Sequence, residues 1–225
     1  MKTLYLFLFL GFQIHANPSY KIEGYLKNCE HKYLNYGTSL FSISKGNKII
    51  LKKINIDEAG KFEIENLSPG VYEFKFDNDF GQIIQKNVEV KDLITTVEFC
   101  LNEFEDIKME TLFASMQNGD EIALKISDSG CFYHKDSEII FFKTENQYSV
   151  SYFDEQKIKK TRLLTDSDLN NLILFEKKVR HINKMKGKST SSTTYVFTKN
   201  DQIVLTEKEE SGLWNGVREL EKTLK

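Results

Sequence analysis

The sequence has little proline, little cysteine and almost no tryptophan: its 225 residues include 2 Pro, 3 Cys and 1 Trp. So little proline excludes a collagen-like chain, and 40% hydrophobic residues exclude a disordered one. An excess of basic charge is also missing, since the formal net charge is −2. Proteins that neutralise nucleic-acid phosphates normally carry a strong basic excess, so no nucleic-acid partner is expected. Lys, Asn, Ile and Phe are abundant, a bias typical of an AT-rich bacterial source.

Long apolar runs are missing except for a short one at the N-terminus. Met1-Lys2 gives a positive start, residues 4–12 (LYLFLFLGF) are apolar, and residues 13–16 (QIHA) end on a small residue. This pattern predicts a secretory signal peptide over residues 1–16, with cleavage after Ala16. The apolar run is about half of the ~20 residues that a membrane-spanning helix needs. We therefore predict an extracytoplasmic protein, periplasmic or secreted, with no integral membrane segment after signal removal.

The region that follows alternates apolar and polar residues. Such alternation is typical of strands with one buried face and one wet face. The breaks between segments carry turn residues, among them Gly60 and the pair Pro69-Gly70. Short, evenly spaced strands without a helix predict an antiparallel β-sandwich. The predicted strands are 20–26, 39–44, 49–56, 61–64, 71–76, 82–90 and 93–101.

One segment of this region carries a family resemblance. Residues 57–72 (DEAGKFEIENLSPGVY) resemble the pattern D-x-x-G-x-F-x-I-x-N-L-x-P-G-x-Y of carboxypeptidase regulatory-like domains. Those domains share a transthyretin-like (prealbumin-like) sandwich with Cna B-type repeats, and Ile22-Glu23-Gly24 resembles the family's first strand. The resemblance covers residues 20–102 and implies a transthyretin-like domain over residues 17–104. It also implies a non-catalytic module, although an unrelated sandwich with a similar turn is the alternative.

The resemblance has consequences for the cysteines Cys29, Cys100 and Cys131. First and last strands of transthyretin-like sandwiches can lie close together, which would bring Cys29 and Cys100 within bonding reach. We predict a disulfide between them. Cys131, interpreted as a buried strand residue, stays outside the pair, and three free thiols are the alternative. No C-x-x-C motif is present, so no zinc ribbon or redox motif is indicated.

Some Cna B-type relatives contain a Lys–Asn isopeptide bond assisted by an acidic residue. The resemblance would place Lys21 or Lys27 opposite Asn102, with Glu63 or Glu73 as the acid. Because Lys and Asn are common throughout the chain, this coincidence carries little weight.

The region from residue 105 to 225 changes character. Four strands are predicted at 121–127, 138–143, 147–153 and 158–164, and Thr165 is a helix N-cap followed by acidic residues. That helix is predicted to end near Asn183. A hairpin over 192–198 and 202–207 and a last helix from Ser211 complete the order β-β-β-β-α-β-β-α. We therefore predict an α+β domain of unknown family, an antiparallel sheet with two helices on one face.

Candidate chemistry in this second region is sparse. Cys131 and His134 have C-x-x-H spacing with Asp136 nearby, but a metal site needs two more ligands and only His31 and His181 remain. In an extended strand, residues three apart point to opposite faces, so Cys131 and His134 do not form a nucleophilic pair. The favoured interpretation is a buried cysteine at a strand start and an exposed histidine in a turn. No catalytic residue, metal ligand or cofactor is predicted.

Two further features concern possible surfaces. The basic run 177–188 is interpreted as complementing a helix C-terminus and a loop; anionic lipid or polysaccharide is the alternative. Aromatic residues are concentrated in the predicted sheet and are assigned mostly to the core, with Tyr133 as a candidate for a ligand-binding face. The aromatic residues are Phe132, Tyr133, Phe141, Phe142, Tyr148, Tyr152 and Phe153.

These observations favour a non-catalytic binding module of a bacterial cell envelope, with an envelope protein or a glycan as partner. One alternative is a structural or assembly accessory in which the sandwich is a spacer. The other is an unfamiliar hydrolase in residues 105–225. A pocket in which His134 meets an acid and a second histidine would favour the enzyme, whereas an exposed aromatic patch would favour binding.

Overall fold

The computed structural model of the chain describes residues 19–29, 41–51, 54–145, 147–153, 159–185 and 187–224. The predicted signal peptide, residues 1–16, and His31 lie outside the described residues. The described chain is mostly β, with two α-helices near its C-terminal end, so the predicted fold class is confirmed.

The N-terminal region is a sandwich of two sheets with strand orders β4-β1-β7 and β3-β2-β5-β6. Its core is built from the alternate apolar positions that the sequence indicated, among them Ile22, Phe74 and Phe99. One pair departs from the antiparallel pattern: β1 and β7 run parallel, with Lys27 opposite Cys100 at the end of the ladder. The strands are β1 (Tyr20–Lys27), β2 (Phe41–Lys45), β3 (Lys48–Leu51), β4 (Lys61–Leu67), β5 (Gly70–Asp77), β6 (Ile83–Val90) and β7 (Ile94–Cys100).

Position 24 in β1 requires glycine, because a neighbouring aromatic ring fills the space that a side chain would occupy. It lies opposite Phe62 of β4, and a Cβ atom built at Gly24 would overlap that ring. Phe62 is buried and stacks on Phe99, with the ring centroids 6.2 Å apart. A side chain at position 24 would therefore displace an aromatic group at the centre of the sandwich.

The segment that resembles the family pattern folds as two strands held by local turns. Asp57 Oδ1 accepts hydrogen bonds from the backbone of Ala59 (2.9 Å) and Lys61 (2.7 Å), and Gly60 has φ +81°. The buried Tyr72 hydroxyl donates to the carbonyl of Ser68 at 2.7 Å. Asp57, Gly60 and Tyr72 of the pattern thus have local structural roles, which say nothing about a partner.

The second region is one six-stranded antiparallel sheet of order β11-β10-β9-β8-β12-β13. The predicted order of strands and helices is confirmed, although α1 ends at Val179 and a short 3-10 helix follows it. The elements are β8 (Glu121–Gly130), β9 (Tyr133–Lys143), β10 (Tyr148–Phe153), β11 (Lys159–Leu163), α1 (Asp166–Val179), the 3-10 helix (Ile182–Lys184), β12 (Ser192–Lys199), β13 (Gln202–Glu209) and α2 (Gly216–Leu224).

Thr165 caps α1 as the sequence predicted. Its hydroxyl accepts a hydrogen bond from the backbone of Asp168 at 3.2 Å, and the Asp168 carboxylate accepts from the Thr165 backbone at 2.9 Å. Arg162 pairs with the same carboxylate at 2.9 Å. The pKa of Asp168 is consequently lowered to about 2, first by Arg162 and then by the Thr165 backbone.

Both helices pack on one face of this sheet, and among the described residues no helix covers the other face, here called the open face. The covered face contributes Ile122, Leu124, Phe141, Tyr195 and Phe197 to the core, together with side chains from both helices. Successive strand residues point to opposite faces, so the strand positions that alternate with these core residues lie on the open face. Ser127 in β8 and Asp136 in β9 are two such positions.

The two regions share core contacts. Phe80, in the turn between β5 and β6 of the sandwich, is fully buried within the second core. Its ring lies 5.9 Å from that of Trp214 and 5.1 Å from that of Phe104. The proposed division into residues 17–104 and 105–225 therefore separates the strands but leaves two side chains of the first part, Phe80 and Phe104, packed in the other core.

Candidate binding site at the end of the β8–β9 hairpin

The end of the β8–β9 hairpin presents an aromatic residue to solvent. A two-residue turn, Cys131-Phe132, joins the strands, and Gly130 pairs with Tyr133 where the ladder closes. Phe132 has a relative exposure of 101%, and Cys131 is an exposed free cysteine. We call residues 127–136 the hairpin end, and it is the candidate binding site because it exposes an aromatic ring completely.

The structure corrects three expectations at this site. Cys131 is exposed in the turn and not buried in a strand; His134 lies in β9 and not in a turn; Phe132 is outside the core. The reason is that β8 and β9 extend beyond the predicted limits. Ser, Asp and Gly are poor strand formers in isolation, but cross-strand pairing through Ser129 opposite His134 overrides their propensity.

A row of polar side chains crosses the open face at the hairpin end. Ser129 Oγ and His134 Nδ1 are 3.0 Å apart, and His134 Nε2 and Asp136 Oδ2 are 3.1 Å apart. Ser127 Oγ donates to Asp136 Oδ1 at 2.6 Å. The Ser127 hydrogen bond, and then His134, lower the pKa of Asp136. Strand register produces this row, since Ser127 lies opposite Asp136 and Ser129 opposite His134.

Tyr133 lies half exposed on the other face of the hairpin. Its ring occupies the space above Gly130, where a Cβ atom would overlap it. The Tyr133 hydroxyl donates to Asp128 at 3.4 Å, and Thr193 donates to the same carboxylate oxygen at 3.0 Å. Burial, and then the charge of Asp128, raise the pKa of Tyr133. Both faces of the hairpin end thus carry hydrogen-bonding groups beside an aromatic ring.

The polar row has the connectivity of a Ser-His-Asp hydrolytic triad but lies in an open setting. The side chains of His134 and Asp136 are 60% and 66% exposed. Water competes for every hydrogen bond at such exposure, and charge stabilisation in catalysis depends on excluding it. Cys131 lies in the turn and is not part of this row. Its sulfur is 4.0 Å from the carbonyl oxygen of Thr190. The arrangement is suited to hydrogen bonding with a ligand.

His181, the other candidate metal ligand among the described residues, is not brought to this site. His181 is buried near the C-terminal end of α1, with Nδ1 2.9 Å from the Lys177 carbonyl. Within the part of the chain that the structure describes, no three His, Cys, Asp or Glu side chains are grouped to hold a metal ion.

Cys29 and Cys100 form a disulfide in the structure, with their Cα atoms 5.4 Å apart. The parallel pairing of β1 and β7 brings these two strand ends together. We propose that this bond forms in the folded protein. The side chains considered for an isopeptide bond have other partners: Asn102 accepts from the Cys29 backbone at 2.8 Å, and Lys27 pairs with Glu98 at 2.5 Å.

The basic run at the end of α1 forms internal ion pairs. Lys177 pairs with Asp106 at 2.5 Å, and Lys178 pairs with Glu219 at 2.7 Å. Arg180 bonds the buried carboxylate of Glu176, which also accepts backbone hydrogen bonds from residues 112 and 113. These three cations therefore connect elements of the second region to one another.

A shallow depression lies at the seam of the two sandwich sheets, between β6 and β7. Its volume is about 330 Å³, and Lys86 and Glu103 pair across it at 3.2 Å. It offers no convergent set of polar groups comparable with the hairpin end.

Sequence reasoning named Tyr133 and His134 as candidates, but it grouped Phe132 with aromatic residues assigned mostly to the core and missed Ser127 and Ser129. The two serines carried no signal, because only the register of β8 against β9 places them beside the histidine and the acid.

Comparison with protein-family models gives no match, and comparison with curated proteins gives none either. Among solved structures, the chain is similar to the major pilin subunit BcpA of Bacillus cereus. The identity is 8%, the TM-score is 0.30, and the similarity covers 64% of this chain and 67% of the pilin chain. A TM-score this low does not establish a shared fold.

Proposed function

We propose that this protein is an exported, non-catalytic binding module of a bacterial envelope that contacts a protein or glycan partner through the hairpin end. The observation that carries the proposal is the complete exposure of Phe132 beside a row of hydrogen-bonding side chains. Aromatic residues dominate binding energy at interfaces, and surrounding polar groups supply orientation.

Export is supported by the N-terminal pattern of residues 1–16 and by the Cys29–Cys100 geometry, since disulfides persist mainly outside the cytoplasm. Within the described ranges, no helix is long and apolar enough to cross a membrane. The transthyretin-like assignment of residues 17–104 remains part of the proposal, as does the alternative role of that sandwich as a spacer in an assembly.

The binding role is tested by capture with the mature chain, residues 17–225, immobilised at one end. Separate samples of envelope protein extract and of purified envelope polysaccharide are applied to it. Phe132→Ser is expected to weaken capture at least tenfold from whichever sample contains the partner. The matched control is Ile203→Ser, which removes a 70% exposed aliphatic side chain at the opposite end of the same sheet. Equal capture by both variants would remove the hairpin end as the site.

A hydrolase is the second candidate function, because hydrogen bonds connect Ser129 to His134 and His134 to Asp136. The test is hydrolysis of an activated acyl ester by the mature chain and by Ser129→Ala. We expect the same slow background rate from both. Turnover that the wild-type chain shows and the Ser129 variant loses would replace the binding proposal with an enzymatic one.

A further inference from the structure

A turn of the sandwich completes the core of the second region. Residues 78–82, here called the docking turn, connect β5 to β6, and Phe80 at its centre is fully buried against Trp214 and Phe104. The backbone also approaches closely: a Cβ at Gly81, whose φ is +68°, would lie 2.9 Å from Cβ of Lys184. The docking turn therefore fits against the short helix that follows α1.

Polar groups of the docking turn hold the segment that links the two regions. The Asn78 side chain donates to the carbonyl of Glu103 at 2.8 Å. The Gln82 side chain both donates to the Glu105 carbonyl (2.8 Å) and accepts from the Glu105 backbone (3.0 Å). The backbone of Asp79 donates to the carbonyl of Leu101 at 2.7 Å. Linker and docking turn are thus bonded along their length.

The docking turn also contains a carboxylate in a mostly buried position. Asn28 Nδ2, a neutral donor, lies 3.3 Å from Asp79 Oδ2. Burial raises the pKa of Asp79 to about 6, and the Asn28 hydrogen bond opposes this only in part. An acid whose pKa is raised on folding stabilises the folded state when protonated, so this contribution falls as the pH rises from about 4 through 6.

The other titratable groups around the docking turn have separate partners. Lys184 lies behind Gly81, and Lys177 pairs with Asp106 of the linker. The linker residues Glu103 and Glu105 contact the turn through backbone atoms, and Asp77 precedes the turn at the end of β5. His181 packs against Phe104, with the ring centroids 5.4 Å apart.

We propose that the docking turn couples the sandwich and the second region into one cooperative unit, and that protonation of Asp79, next to Phe80 in that turn, stabilises this unit. The coupling depends on Phe80, because that side chain belongs to one region by sequence and to the other by burial. The acid dependence follows from the position of a partly buried carboxylate next to Phe80 in the chain, with the neutral side chain of Asn28 as its donor. The folded state of this protein is therefore expected to become more stable as the pH falls from about 6 towards 4.

The experiment uses urea unfolding of the mature chain, followed by far-UV circular dichroism and by fluorescence of Trp214, the only tryptophan of the sequence. Wild-type protein is expected to show coincident transitions by both probes. Phe80→Ala is expected to shift Trp214 emission to longer wavelength in the folded state and to separate the two transitions. Ile83→Ala, which truncates an exposed side chain next to the turn, is the control and is expected to leave both unchanged.

The pH arm compares wild type with Asp79→Asn at pH 7.5 and pH 5.0. On acidification the folding equilibrium of the wild type is expected to gain about tenfold more than that of Asp79→Asn. At pH 7.5 the Asn variant is expected to have the higher unfolding midpoint. His181→Gln is a control and is expected to retain the wild-type difference between the two pH values.

The outcomes separate the two parts of the proposal. Unchanged emission and a single transition in Phe80→Ala would overturn the coupling; if that variant does not fold, Phe80→Leu replaces it, with a smaller shift expected. An equal pH response in wild type and Asp79→Asn would overturn the role of Asp79. Neither result depends on the hairpin end, so binding by Phe132 is judged separately.

Discussion

The sandwich and the six-stranded sheet bury their aromatic residues in different ways. In the sandwich, Phe62, Phe74 and Phe99 come from strands of the same region and meet between its two sheets. In the second region, Trp214 packs on its own Phe175 and Tyr195 but also on Phe80 from the sandwich. The difference shows that a strand boundary and a core boundary need not coincide. The core of the sandwich is built from side chains of the sandwich itself, whereas the core of the second region also contains Phe80 from the sandwich.

The largest expected effect breaks this dependence directly. Residues 106–225 expressed alone lack Phe80, and loss of a buried phenylalanine costs about 3–5 kcal/mol. We expect this fragment to be poorly folded, whereas residues 17–105 fold with Phe80 exposed. Chemical denaturation of both fragments measures the asymmetry. A second region that is as stable alone as in the full chain would show that Phe80 is dispensable.

The disulfide tests whether the sandwich is as self-sufficient as its core suggests. The bond joins residues 71 apart in sequence. Closing a loop of that size stabilises by roughly 4 kcal/mol on the chain-entropy model, so Cys29→Ser with Cys100→Ser is expected to lose up to that amount. Mass mapping of the unreduced protein checks the pairing itself. Three alkylatable thiols, or a bridge that contains Cys131, would contradict it.

Gly24 tests the packing inside the sandwich. Gly24→Ala forces the ring of Phe62 away from Phe99, and overpacking of this kind costs about 1–3 kcal/mol. Thermal unfolding of the mature chain measures the loss. Gly46→Ala is the control for adding a methyl group, since no atom lies within 4 Å of a Cβ there, although its φ of +56° adds some backbone strain of its own. Equal losses would mean that the ring contact does not determine the residue at position 24.

The smallest expected effect concerns a local feature of the second region. Thr165→Ala removes the hydroxyl that caps α1, which costs about 1 kcal/mol. Thr165→Ser retains a capping hydroxyl and is expected to recover most of the loss. Urea midpoints at neutral pH compare the two variants, and equal midpoints would show that Asp168 and Arg162 hold the helix start without the cap.

Prediction from the sequence succeeded where the determining contacts are local. The strands of the sandwich followed from alternation, the start of α1 followed from Thr165, and the turn at Gly60 followed from its acidic neighbours. It failed at the β8–β9 turn: Asp128 to Gly130 were interpreted as a turn from their propensities, which pairing with β9 overrides. Cys131 was assigned to the interior for that reason and lies outside.

The sequence by itself determined the periodicity of the strands and helices, the apolar faces and the caps, since these depend on residues within a few positions of one another. Tertiary structure alone decided which residues meet across long separations. Strand register placed Ser129 beside His134, parallel pairing brought Cys29 to Cys100, and docking placed Phe80 against Trp214. The physical reason is that these contacts form only when whole strands and helices pack together. The residues near each position in the sequence do not determine which distant element it will meet.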